Sequence, residues 1–205
     1  GPTYEAIDPV RFIGNHSSGK MGFEIAKVFA SYGAKVHLIT GPTHQKVNQS
    51  GIEVIAVTSA KEMYEASHKY FDNVDIAILS AAVADYRPKH IADQKIKKEV
   101  SALSIELEKT EDILASLGAK KSNQFLVGFA LETNNELENA KAKLKNKNLD
   151  LIVLNSLNDI GAGFRNDTNK VTLIRKDGTV SEFDLKPKSE VALDILNEII
   201  KLIDA

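Results

Sequence analysis

Apolar and polar positions along the chain fall into two rhythms that take turns. Short apolar runs at residues 35–40, 52–57, 74–80, 125–130 and 149–154 have the length and composition of strands, those at 35–40 and 125–130 of buried ones and that at 74–80 strongly apolar. Between them lie stretches in which apolar residues recur three and four apart, as in a helix that buries one face. The first, residues 23–30, stops at Gly33. The second, residues 60–71, begins behind Ser59, and Glu62 three residues on completes a capping-box pattern. Thr110, Glu111 and Asp112 open a short helix, acidic in its first turn as the helix dipole prefers. A lysine-rich helix follows at 135–147, and residues 188–203 close the chain with Val191, Ile195, Ile199 and Ile203 on one face. Residues 103–108 alternate as a half-exposed strand does. Late in the chain, Lys176-Asp177-Gly178-Thr179 separates two β-rich runs, 170–175 and 180–185, and Asp-Gly in that setting is the strongest short-range hairpin signal.

This order predicts an α/β fold: a Rossmann-like, mostly parallel sheet with helices on both faces and an antiparallel hairpin near the C-terminus. Right-handed crossovers bring the C-terminal ends of the parallel strands to one side, the edge at which open sheets bind ligands. With 205 residues, no repeat and no linker, the chain reads as a single domain over residues 1–205. Gly1-Pro2-Thr3 has the character of a turn that follows a strand. A first strand is therefore expected ahead of it, either lost or left behind in a longer fusion from which this domain was excised.

Composition narrows the chemistry. The 26 basic and 28 acidic side chains leave a net charge of −2, so nothing draws nucleic acid globally and a phosphate-bearing ligand needs a local basic pocket. Hydrophobic residues at 43 % are ordinary for a globular chain, and no apolar run approaches the ~18 residues of a membrane span. The lack of cysteine excludes disulfides, thiolate metal sites and a cysteine nucleophile, and it fits a cytoplasmic protein.

Residues 11–22, Arg-Phe-Ile-Gly-Asn-His-Ser-Ser-Gly-Lys-Met-Gly, form a polar, glycine-punctuated turn running into the first helix, a setting in which backbone N–H groups meet anions. Gly14, Gly19 and Lys20 approach the spacing of a P-loop. Met21, however, stands where that motif places a hydroxyl, and Asp8-Pro9-Val10-Arg11 is a poor buried strand. Nor do Gly14, Gly19 and Gly22 make a dinucleotide fingerprint. Each polar candidate also has a plain reading. Ser17, Ser18 and Gly19 would cap a helix, Asn15 would satisfy its own turn, and Asp85 would pair locally with Arg87. Lys95, Lys97 and Lys98 would be a solvated run, and Lys143 and Lys147 would decorate a surface. Their convergence on one predicted sheet edge favours an anion site walled by lysines.

Six blocks give the chain a wider likeness: Asp8-Pro9-Val10-Arg11-Phe12-Ile13, Asn15-His16-Ser17-Ser18-Gly19-Lys20-Met21-Gly22, Ala81-Ala82-Val83-Ala84-Asp85-Tyr86, Lys95-Ile96-Lys97-Lys98, Gly128-Phe129-Ala130-Leu131-Glu132-Thr133 and Lys147-Asn148-Leu149-Asp150. With them it resembles bacterial phosphopantothenoylcysteine synthetase over essentially its whole length. The resemblance implies a ligase that joins 4′-phosphopantothenate and L-cysteine in coenzyme A biosynthesis, using CTP and a divalent cation, Mg2+. In that reaction the substrate carboxylate attacks the α-phosphate of CTP and pyrophosphate leaves. The cysteine amine then displaces CMP from the acyl-cytidylate.

Carried across by position, the resemblance assigns Ser17, Ser18 and Gly19 to phosphate and Asn15 to the acyl-cytidylate in the second step. Arg11 organises the loop or the phosphopantothenate pocket, and Ala81 and Ala82 leave room for substrate. Asp85 faces the nucleotide directly or through the metal, and Lys95 reaches from a mobile flap to neutralise phosphate charge in the first step. Glu111, Asp112, Ile113 and Leu114 complete the nucleotide pocket with Phe129, Lys143 and Lys147, although the family places proline where Glu111 stands. The resemblance further implies a homodimer whose flaps close over the sites, with the late hairpin offering an edge to a second subunit. It also implies fusion to or assembly with a flavin-dependent decarboxylase, with no flavin in this chain. Two rivals are a nicotinamide-dependent reductase, disfavoured by the missing glycine fingerprint, and a binding module that kept the fold without the activity. The choice between CTP and ATP is open from sequence.

Overall fold

A computed structural model describes residues 1–97, 102–132, 134–156 and 166–204. Lys98 and Thr133, named in the sequence motifs, lie outside the described residues. The chain opens with β1 (Tyr4–Ala6) and β2 (Phe12–Gly14), an antiparallel pair in which Tyr4 stacks on Phe12. Helix α1 (Lys20–Ser31) leads to β3 (Val36–Thr40) and its parallel partner β4 (Ile52–Ala56), and then come α2 (Ala60–Phe71) and β5 (Ile76–Leu79). A short antiparallel ribbon, β6 (Tyr86–Pro88) with β7 (Leu107–Lys109), precedes α3 (Ile113–Lys120). Strand β8 (Phe125–Glu132), α4 (Glu136–Asn146) and β9 (Leu151–Ser156) continue the parallel pattern. The last quarter holds β10 (Thr168–Asn169), β11 (Val171–Arg175), β12 (Val180–Glu182), β13 (Lys186–Pro187) and α5 (Lys188–Ile203).

The main sheet has the order β12-β11-β9-β8-β5. Strands β5, β8 and β9 are parallel, whereas β11 and β12 are added antiparallel. Period-2 alternation then sorts the strand residues onto two faces. Leu126, Ile152, Leu154 and Ile174 meet Met63, Leu114, Leu117 and Leu144 under α2, α3 and α4. On the other side, Val127, Leu151, Val153 and Leu173 meet Ile25, Phe29, Val191 and Ile195 under α1 and α5. Helices therefore cover both faces, and the C-terminal ends of the three parallel strands share one edge.

Local signals that the sequence carried are realised. Ser59 Oγ accepts from Glu62 N–H at 3.2 Å while the Glu62 carboxylate accepts from Ser59 N–H, which closes the capping box. The late turn closes through Arg175 N–H to Thr179 C=O at 2.9 Å, with Gly178 at φ 90°. Four expectations change. The start of residues 11–22 is strand rather than loop, because β2 pairs with β1. The 103–108 run supplies only Leu107 and Glu108, the first two residues of β7, since β6 offers just three residues to pair with. Ile203 is 53 % exposed: steps of four residues drift about 40° each, so the fourth member of the series sits roughly 120° from Val191. Finally, β3 and β4 form their own pair, and β3 is not hydrogen-bonded to β5. The opening residues run between the two ends: Pro2 bridges Ala82 in parallel, and a Cβ on Gly41 would lie 1.7 Å from the Pro2 carbonyl oxygen.

Among the described residues no helix is long and apolar enough to cross a membrane. A second close approach locks α3 against the turn after α4, where a Cβ on Gly118 would lie 2.0 Å from the Lys147 carbonyl oxygen. Gly118→Ala should therefore force that turn away and lower stability by about 1–3 kcal/mol, read as a lower urea midpoint at unchanged slope.

Candidate functional site

The shared C-terminal edge begins at the turn into α1. Gly19 is its N-cap in the left-handed conformation, φ 77°, and a Cβ there would also lie 3.1 Å from Gly1 Cα. Ser17 Oγ accepts from Gly19 N–H at 3.3 Å, and Thr43 Oγ1, from the loop after β3, donates to Ser18 C=O at 2.6 Å. As a glycine, the N-cap has no side chain with which to cap α1, and the first turn of the helix holds no acidic residue. Ser18 Oγ accepts from Lys20 N–H at 3.4 Å, and no carboxylate offsets the positive end of the helix, a setting that suits an anion.

Asn15 does not satisfy its own turn. Its Nδ2 donates to the carbonyls of Ala82 at 3.0 Å and Val83 at 3.3 Å, tying the loop after β2 to the loop after β5. Two carbonyl partners require the NH2 end of the amide there, which fixes the side-chain orientation and leaves Oδ1 to accept from a ligand. Thr110 Oγ1 donates to Ala84 C=O, and Thr110 N–H to Asp85 C=O, so the same loop is joined to the segment ahead of α3. Asp85 itself is exposed, and Arg87 pairs with Glu108 across the β6–β7 ribbon rather than with Asp85.

The lysine pair on α4 is more than surface decoration. Lys143 Nζ donates to Phe129 C=O at 2.7 Å, and Lys147 Nζ lies 2.7 Å from the Asp112 carboxylate. Burial pushes the Lys143 ammonium below the ordinary lysine value, Lys147 adds to the effect, and Glu132, Asp112 and Asp85 oppose it. Asp112 N-caps α3 through Ala115 N–H at 2.9 Å. Burial raises its pKa, but Lys147 and the cap outweigh that and hold it below the usual value. Glu111 is exposed, whereas the Ile113 and Leu114 side chains belong to the core, so these two can offer a ligand only backbone. Phe129 packs against the α1–α5 core beside the edge.

The segment after β6 is held by the turn between β1 and β2. Lys95 is exposed and makes no ion pair among the described residues. Its neighbour Ile96 is gripped from both sides: Asp8 Oδ2 accepts from Ile96 N–H at 3.1 Å, and Arg11 Nη2 donates to Ile96 C=O at 2.9 Å. Arg11 thereby organises the loop through a partner far away in sequence.

The family described as DNA/pantothenate metabolism flavoprotein C-terminal domain matches residues 1–203. The chain belongs to this family. A relative from an unknown prokaryotic organism, named cysteine/cysteine sulfinic acid decarboxylase, is 54% identical over 99% of this chain and 57% of its own length. The coenzyme A biosynthesis bifunctional protein CoaBC of Bacillus subtilis (strain 168) is 48% identical over 98% of this chain and 50% of its own. The chain thus spans about half the length of the curated relatives it matches. The crystal structure of the C-terminal domain of a CoaBC protein is 46% identical with a TM-score of 0.85, covering 100% of this chain and 93% of that one. Nothing in the fold or in these matches supports a nicotinamide-dependent reductase.

Sequence reasoning passed over two residues at this family's edge. Asp8 was quoted in a motif without a role, although Oδ1 accepting from Val10 and Arg11 N–H is an Asx-type turn that Asp-Pro could have signalled. Asn155, at the C-terminal end of β9, has a buried Oδ1 without a hydrogen-bond partner among the described residues, and only an Asn at the end of an apolar run hinted at it. Lys143 offers a direct check on the electrostatics. Its Nζ resonance should titrate below 10.5, and Lys147→Ala, which removes a neighbouring cation, should move the midpoint back up. Because native Lys143 then binds fewer protons than the unfolded chain just below that value, its contribution should make stability rise with pH in that window.

Proposed function

We propose that this domain is the ligase that joins 4′-phosphopantothenate to L-cysteine through an acyl-cytidylate, consuming CTP and releasing pyrophosphate and CMP. The observation that carries the reading is Asn15 clipped to the Ala82–Val83 carbonyls in the loop that leads to the glycine-capped start of α1, whose first turn holds no acidic residue. That pairing sets a phosphate-binding helix end next to a fixed amide oxygen, as a phosphoryl-activated acyl group awaiting an amine requires.

In the first step the substrate carboxylate attacks the α-phosphorus of CTP and the bond to pyrophosphate breaks. The α1 N-terminus with Ser17, Ser18 and Gly19 holds phosphate oxygens, and Lys95 neutralises the charge that gathers on them. Phe129 gives the base or ribose an apolar surface, and Lys143, Lys147 and Asp112 frame the nucleotide. Ala81 and Ala82 leave room for the pantothenate arm, with Arg11 setting the loop beside it. In the second step the cysteine amine attacks the acyl carbon and CMP leaves. Asn15 Oδ1 accepts from the intermediate or the amine and orients the two. Magnesium keeps several waters and takes one or two carboxylates alongside phosphates, so the exposed Asp85 fits as its protein ligand. When bound, the ion would supply further neutralisation of phosphate charge.

The same reading extends to partners. Relatives of twice the length bearing the bifunctional CoaBC name support a decarboxylase fused to or assembled with this domain. A homodimer is supported by exposed Val10, Phe12, Tyr86 and Leu107 around the two small ribbons, as well as by the open β12 edge. Among the described strands β3 is paired only with β4 and β5 only with β8, which supports a further strand between them. The cytoplasm is the compartment that this metabolism implies.

Asn15→Ala should still release pyrophosphate in the presence of phosphopantothenate but pass the acyl group to cysteine about 100-fold more slowly. Loss of pyrophosphate release as well would sink the role given to Asn15. Turnover measured side by side with CTP and ATP should favour CTP, and equal rates would remove the cytidine specificity from the proposal.

A further inference from the structure

Asp8 is a buried carboxylate to which no role in the chemistry has been given. Its side chain is 0% exposed, and every bond that it makes can be traced. Oδ1 accepts from Val10 N–H and Arg11 N–H, both at 2.9 Å, and these bonds close the turn between β1 and β2. Oδ2 accepts from Arg11 Nε at 3.0 Å, from Arg11 Nη2, and from Ile96 N–H at 3.1 Å. Arg11 Nη2 completes the ring by donating to Ile96 C=O. One carboxylate–guanidinium pair therefore grips both peptide groups of the residue that follows Lys95. A second tie, Ala92 N–H to Ile7 C=O at 3.0 Å, pins the same segment a turn earlier.

We propose that Asp8 is a positioning residue for Lys95, acting with Arg11 as a clasp that holds the Lys95 segment over the phosphate site. The proposal rests on the reading of Lys95 as the phosphate-neutralising residue of the first step. The turn alone needs only Oδ1. Oδ2 is spent on a contact across 88 residues of chain, and that contact restricts where the Lys95 stem can start. A flexible four-carbon side chain reaches a phosphate with useful frequency only when its backbone is fixed, so the clasp converts a mobile cation into a placed one. The Arg11 guanidinium keeps the Asp8 carboxyl far below the usual carboxylate range, so the clasp stays charged wherever the enzyme works.

Asp8→Asn separates the turn from the clasp. Asn Oδ1 can still close the turn, but its NH2 would face the Ile96 N–H and the guanidinium, donor against donor. The intact protein is assayed for phosphopantothenate-dependent pyrophosphate release from CTP as wild type, D8N, K95Q and D8N/K95Q, and amide exchange is followed at Ile96. Lys95→Gln alone should slow release, D8N should slow it about tenfold, and the double variant should be no slower than K95Q. Exchange at Ile96 should rise in D8N while the β8–β9 amides keep their protection. Ile96→Pro, which deletes the gripped N–H without touching the turn, should reproduce the D8N rate even if D8N folds poorly. A wild-type rate in K95Q would overturn the reading of Lys95, and the proposal with it. An impaired K95Q on which D8N multiplies its full loss, or unchanged exchange at Ile96, would overturn the clasp alone.

Discussion

Strands β8 and β9 have no solvent face: Leu126 and Ile152 point into one core, Val127 and Leu151 into the other, and all four are fully buried. Such strands are stable only with helices on both sides, and the crossovers that supply those helices must return each strand in the same direction. The direction decides where loops of free length emerge. The loop after β5 and the ends of β8 and β9 leave the sheet at that one edge, and Asn15 ties the loop that leads into α1 to it.

At the edge the chain is joined by bonds that cross long sequence distances. Asn15 reaches the β5 loop, Thr110 ties that loop to α3, Lys143 holds the β8 backbone, and Asp8 with Arg11 holds the segment of Lys95. Each is a side chain binding a main-chain group. The loops can therefore differ in length and composition while their backbones stay fixed relative to one another, and fixed relative positions are what the proposed two-step transfer demands.

This division explains what could be read from the sequence. Apolar periodicity announced the buried strands and the five helices, because burial patterns repeat within a few residues. The capping box at Ser59 and Glu62 and the Asp177-Gly178 hairpin were legible for the same reason. The β1–β2 pair was not, since three residues a side, one of them the buried Glu5, carry no periodic signal. Arg87 was matched with the wrong carboxylate because Glu108 is 21 residues away and only the β6–β7 ribbon brings it near. The separate β3–β4 pair was unreadable too, because strand order is a property of the assembled sheet. Candidate residues could be named singly; which of them touch could not.

The amide of Asn15 shows how narrow such a contact is. Its NH2 group donates to two carbonyl oxygens, so the position distinguishes two side chains of nearly identical shape by the chemistry of a single atom. An aspartate would occupy the same volume and present an oxygen, charged and without a proton to donate, to those same two carbonyls. Shape selects neither residue there. The spelling of the site at residue 15 is set by hydrogen count, and the backbone of another loop does the reading.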